Sequence, residues 1–137
     1  MESKFHIINE IKFLPSALTI RLTSLHTGKP DGLIGLPLTV TNESSSYLVQ
    51  FEHVGRFRVI SEAYNEFKEP CEKITNFVYK MIDSKYLQEY GGSAKIFAHD
   101  IPHEAEIKHY VVYSEFYVVD VLATESPTIE VVERKSS

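Results

Sequence analysis

His109-Tyr110-Val111-Val112-Tyr113-Ser114-Glu115-Phe116-Tyr117-Val118-Val119-Asp120-Val121-Leu122-Ala123 is the stretch that decides the fold. It is almost entirely β-branched and aromatic, the side chains that pack best on a pleated surface. Its polar residues gather around Ser114-Glu115, where a turn divides it into a hairpin. Tyr110 and Val112 point to one face, Val111 and Tyr113 to the other. Both faces are apolar, which predicts central strands covered on both sides.

Working outward, 5–13 and 17–25 read as strands. In the second, Leu18, Ile20 and Leu22 alternate with Thr19, Arg21 and Thr23. Residues 36–41 suggest a third strand. Residues 47–63 are long and β-rich, with Gly55 marking a bulge or a bend. There Phe57 and Val59 alternate with Arg56, Arg58 and Ile60, as in a strand with one wet face. Residues 128–132 suggest an edge strand, and the tail 133–137 a frayed end.

Residues 69–92 admit two readings. Ile74, Phe77, Val78, Met81 and Ile82 fit one amphipathic helix begun at Pro70 and stopped by Gly91-Gly92. The same residues also divide into a strand at 76–81 and a short helix at 85–90 capped by Ser84. Residues 93–107 read as a loop with a short strand.

The chain has 137 residues, 43% of them hydrophobic, with eight Tyr, eight Phe and no Trp. That is one domain, 1–137, with enough chain to bury a core. The single cysteine, Cys71, excludes a disulfide scaffold. The N-terminus lacks the apolar run of a secretory signal, and no stretch approaches the ~20 apolar residues of a membrane span. The expected location is cytoplasmic, with no membrane partner.

Charge is uneven. Residues 1–58 balance to +1 and residues 59–137 to −6, for a net −5. An acidic half argues against nucleic acid, which demands a basic patch. It suits a basic protein partner or serves solubility. Glu104, Glu106 and Glu115 are the candidate partner-binding carboxylates.

Catalytic and cofactor motifs do not emerge. No serine lies in G-x-S-x-G, and neither glycine-rich phosphate loop occurs. His99, Asp100, His103, Glu104 and His109 are the densest set of metal-ligand types, but Pro102 interrupts them and their spacing matches no strong zinc pattern. No metal or other cofactor is expected. Cys71 lies between Glu69 and Glu72, carboxylates that disfavour a thiolate, so it reads as incidental rather than nucleophilic. Asp120 shares a strand face with Val118 and Leu122. A carboxylate in that setting must be paired, hydrogen-bonded or protonated. It reads as a structural group tying a loop or a backbone N–H; the alternative is a site carboxylate of raised pKa, in a pocket with Tyr64, His109 and Tyr110.

Four segments carry a family resemblance: FEHVGRFRVISEAYNEF at 51–67, DSKYL at 83–87, KHYVVY at 108–113 and VVDVLATESPTIE at 118–130. Their order and spacing over 51–130 resemble a large family of small, uncharacterised bacterial α+β proteins, with its F…V..E.Y, S-x-Y-L, K-H-Y and V-D-V…P-x-I-E pattern. Some members resemble the immunity partners encoded beside polymorphic toxins. The resemblance implies the divided reading of 76–90 and an immunity-type function.

The expected fold is α+β: a mainly antiparallel, twisted sheet of six to eight strands with one or two short helices. The expected function is non-enzymatic protein binding, as an immunity-type inhibitor that occludes a basic partner. The alternative is a small-molecule-binding β-rich domain, or a minor enzyme, with a cavity near Asp120. A scaffold pairing through exposed sheet edges is a third reading.

Overall fold

The computed structural model describes residues 5–14, 17–27, 38–39, 44–61, 70–97 and 106–132. They form β1 (Phe5–Leu14), β2 (Ala17–Thr27), β3 (Leu38–Thr39), β4 (Ser46–Phe51), β5 (Val54–Ser61), β6 (Cys71–Lys73), β7 (Val78–Met81), α1 (Lys85–Phe97), β8 (Lys108–Tyr113), β9 (Tyr117–Ala123) and β10 (Thr128–Val132). Nine strands have three residues or more, above the six to eight expected, and β3 adds a two-residue bridge. They divide into two sheets, in the orders β1-β2-β4-β10 and β5-β9-β8-β7-β6, with β3 paired to the end of β2. All described pairings are antiparallel.

The two sheets stack face to face. Leu18, Ile20 and Leu22 of β2 and Val49 and Phe51 of β4 meet Tyr110 and Val112 of β8 and Val119 and Val121 of β9. The alternation read in β2 is the cause: every second residue is apolar and faces the core, while Arg21 on the other face is exposed and Thr23 is buried by its neighbours. The central hairpin has two buried faces, as its composition requires. Tyr110 and Val112 enter the sheet–sheet core. On the opposite face, Val111 and Val118 pack with Met81, while Leu122 packs beside Tyr86 and Ile107 near α1. The result is three layers: sheet, sheet and helix.

The chain passes between sheets at Glu52-His53, where His53 takes a positive φ of 51°. Gly55 lies at a bulge in the β5–β9 ladder. Arg56 and Arg58 on β5 are exposed, and their guanidinium groups reach over tyrosines of α1.

The divided reading of 76–90 holds: β7 is followed by a helix capped at Ser84, whose Oγ accepts the Leu87 N–H at 3.0 Å. The helix does not stop at Gly91-Gly92, however, and runs to Phe97, so 93–97 is helical rather than loop. Glycine tolerates a helix at a cost of about 1 kcal/mol, and here neither glycine takes the left-handed conformation that ends one. Among the described residues no helix is long and apolar enough to cross a membrane.

Candidate functional site

Asp120 sits on β9 directly opposite Arg58 of β5 and diagonal to His109 of β8. Cross-strand neighbours on one face lie within side-chain reach, so the ladder itself assembles the group. His109 Nε2 lies 2.7 Å from Asp120 Oδ1, and Arg58 Nε donates to Oδ2 at 2.8 Å. On the far side of the imidazole, Nδ1 lies 2.6 Å from Ser84 Oγ.

Donor counting sets the direction of this line. Ser84 Oγ already accepts the Leu87 N–H. Its hydroxyl proton is then best used on His109 Nδ1, leaving Nε2–H to donate to Asp120. Every link has one donor and one acceptor. The line therefore runs from the first turn of α1 through the serine and histidine to the carboxylate and out to Arg58. Ser84, His109 and Asp120 are all buried; the Arg58 side chain is 45% exposed.

Burial alone would push the Asp120 carboxyl upward. The hydrogen bonds from His109 and Arg58, reinforced by the Arg58 charge, outweigh burial and hold it below the usual carboxylate range. This is opposite to the raised value a site carboxylate was expected to show. Its partners are side chains rather than a loop or a backbone N–H.

Aromatic rings close the site from the helix side. The Tyr86 ring lies 5.0 Å from the His109 ring and 5.3 Å from the Tyr90 ring. The Arg58 guanidinium sits 4.1 Å from the Tyr86 centroid, and Arg56 sits 3.8 Å from that of Tyr90. Such cation–π contacts contribute about 0.5–2 kcal/mol, more when desolvated. The Tyr86 hydroxyl is buried; Arg56 approaches it as a donor but completes no hydrogen bond of full geometry. Burial raises its phenol, and the Arg56 donor together with the Arg56 and Arg58 cations offsets part of that shift.

A serine, a histidine and an aspartate in one line invite comparison with nucleophilic triads. Two features distinguish this one. Ser84 has no exposed surface, and its oxygen is engaged by the helix amide. What the line does in this state is anchor the N-terminus of α1 to the second sheet.

The other expected residues scatter. Tyr110 is on the opposite face of β8, in the sheet–sheet core, and shares no pocket with Asp120. Tyr64, Glu104, His99, Asp100 and His103 lie outside the described residues. Both ring nitrogens of His109 are engaged by Ser84 and Asp120. Glu106 is exposed ahead of β8, whereas Glu115 is in the turn after it, so the two lie at opposite ends of a six-residue strand. Cys71 is exposed on β6. Sequence reasoning placed Ser84 only as a helix cap and passed over Arg58. The signal for Arg58 was its position on an alternating strand, but only the strand pairing puts it against Asp120.

A second feature lies on the flank formed by β1 and β5, the edge strands of the two sheets. Phe13 of β1 meets Phe57 of β5 at 5.0 Å. Beside them a shallow groove of about 240 Å³ is lined by Ile8, Asn9, Glu10, Ile11, Val59 and Tyr117. Phe13, Val59 and Tyr117 are 44%, 43% and 51% exposed, and Phe116 in the adjoining turn is 65% exposed. The Glu115 N–H donates to the His6 carbonyl at 2.8 Å, which fixes that turn against β1. No family model, curated protein or solved structure matches the chain.

Proposed function

We propose that this protein is a non-enzymatic binding protein, an immunity-type inhibitor that docks on a basic partner and occludes it. The observation that carries the reading is the β1/β5 flank, where Phe13, Val59, Phe116 and Tyr117 stand exposed together. Exposed apolar groups gathered on one surface and rimmed by polar ones mark interaction sites. Tyrosine and phenylalanine supply the buried anchors of such interfaces. Glu10 lines the groove and Glu115 precedes Phe116 in the adjoining turn; carboxylates there speed encounter with a cationic partner. The family resemblance supplies the immunity context.

The experiment is binding kinetics against a toxin encoded beside this gene, at low and high salt. Tyr117→Glu and Val59→Glu should weaken affinity at least about tenfold with Tm unchanged, since each side chain is already half in water. Glu115→Lys should lower the on-rate and flatten its salt dependence. Full affinity in the Tyr117→Glu variant refutes this flank as the interface.

A second reading, a minor hydrolase, draws on the Ser84–His109–Asp120 line. It requires α1 to uncover Ser84. Covalent labelling of Ser84 by a fluorophosphonate would establish that reading, and an unlabelled Ser84 would dismiss it.

A further inference from the structure

The two sheets are tied together by ring contacts. Phe13–Phe57 sets the first strand of one sheet over the first of the other. Phe51–Tyr110, at 5.6 Å, sets the third over the third. The other end of β1 departs from that order: His6 packs on Phe77, at the head of β7, at 4.7 Å, so the strands of the two sheets cross. All three residues of β6 are exposed.

The edge at β10 differs from those at β1 and β5, the end strands at the other side of each order. β1 is bulged at Asn9, and its His6 carbonyl is occupied by the Glu115 N–H. β5 is bulged at Gly55. Bulges of this kind blunt an edge against pairing. β10 has none: its five residues pair with β4 in unbroken register, and among the described residues it pairs with β4 alone. Below it lies a hollow of about 190 Å³ lined by Ile129, Val131, Tyr47, Phe77, Thr75 and His6, together with Asn76. That is room for one large apolar side chain. Val131 is 63% exposed at its mouth.

We propose that the β10 edge takes an added strand from a partner, an extended segment in which apolar residues alternate with lysine or arginine. The main chain would continue the sheet, and one apolar side chain would enter the hollow. Charge selects the occupant. Glu130 stands on the outer face of the edge strand. A second copy of this chain pairing antiparallel about Glu130 would set that carboxylate beside its own equivalent, and like charges placed opposite are unfavourable. A strand with lysine or arginine on its outer face meets Glu130 instead. The test of this site, on Val131 and Glu130, is separate from the Val59 and Tyr117 variants that test the interface proposed above.

The test uses the full chain and a capped seven-residue peptide of alternating lysine and leucine. Calorimetric titration should show binding with a stoichiometry of one. Replacing lysine by glutamate in the peptide, or Val131→Arg or Glu130→Lys in the protein, should weaken it about fivefold or more. N-methylation of alternate peptide amides should abolish it, because strand pairing needs those donors. The β10 amides that point away from β4 should gain hydrogen-exchange protection only when peptide is present. The proposal is overturned if these amides are already protected without peptide, if the N-methylated or glutamate peptide binds equally well, if Val131→Arg leaves binding unchanged, or if sedimentation shows a dimer that Val131→Arg disperses.

Discussion

Replacing Asp120 by Asn tests the buried line where it is most sensitive. The carboxylate accepts two charge-assisted hydrogen bonds, from His109 at 2.7 Å and from Arg58 at 2.8 Å. Asparagine has nearly the same shape but only one accepting oxygen, and its NH₂ must face one of two donors. Arg58 is the partner that can withdraw, since its side chain is 45% exposed and can turn to water. The amide oxygen would then stay on His109, with a neutral bond in place of a charged one. The weakened bond and the lost Arg58 contact, the latter discounted for solvent, together cost about 2 kcal/mol, within a range of roughly 1–3. For a chain of this size that lowers Tm by about 6–8 °C. The acid limb gives a second readout. The folded Asp120 is held below the usual carboxylate range, so its contribution is fully present above the unfolded value of about 3.9 and is lost as pH falls through the folded one. Urea unfolding of both proteins should show a constant gap between pH 7 and about 5, narrowing below about 4. A gap under ~0.5 kcal/mol at pH 7, or one that stays undiminished at pH 3, would refute the paired-carboxylate reasoning.

Ser84→Ala removes the cap and leaves His109 Nδ1 buried without its partner, so urea unfolding should register a loss of about 2–4 kcal/mol. Tyr86→Phe removes a buried hydroxyl that completes no hydrogen bond among the described residues; it should raise stability by up to ~1 kcal/mol at pH 7 and remove the part of the alkaline loss, above about pH 10, that follows from the raised phenol. Gly92→Ala should stabilise α1 by about 0.5–1 kcal/mol, because a Cβ there meets nothing within 4 Å, whereas Gly91→Ala should gain less, its Cβ falling 3.1 Å from Leu87 Cδ1. Cys71→Ser, on an exposed site, should change stability by less than ~0.5 kcal/mol in the same assay.

Local pattern carried much of the fold. The hairpin at β8–β9, the alternation of β2, the bulge at Gly55 and the edge strand β10 are all written in neighbouring residues. The helix end is not legible locally, since a glycine pair permits a stop without compelling one, and 93–97 continue the helix. Asp120 was singled out because a carboxylate between Val118 and Leu122 needs a partner; which partner was not legible. Ser84 and His109 are 25 residues apart, and Arg58 and Asp120 are 62 apart. No spacing rule spans such distances.

Period-two alternation by itself determined that this chain would be antiparallel sheet with a doubly buried central hairpin, because side-chain direction in a strand depends only on residue parity. Tyr47, Phe51, Phe57, Tyr110, Tyr113 and Tyr117 could be assigned to strands on the same ground. The division of the strands into two stacked sheets was decided only by tertiary pairing. So were the junction of four side chains beneath α1 and the convergence of Phe13, Val59 and Tyr117 on one flank. Register along a strand is a local property, but the choice of neighbouring strand is settled by the burial and hydrogen bonding of the whole molecule.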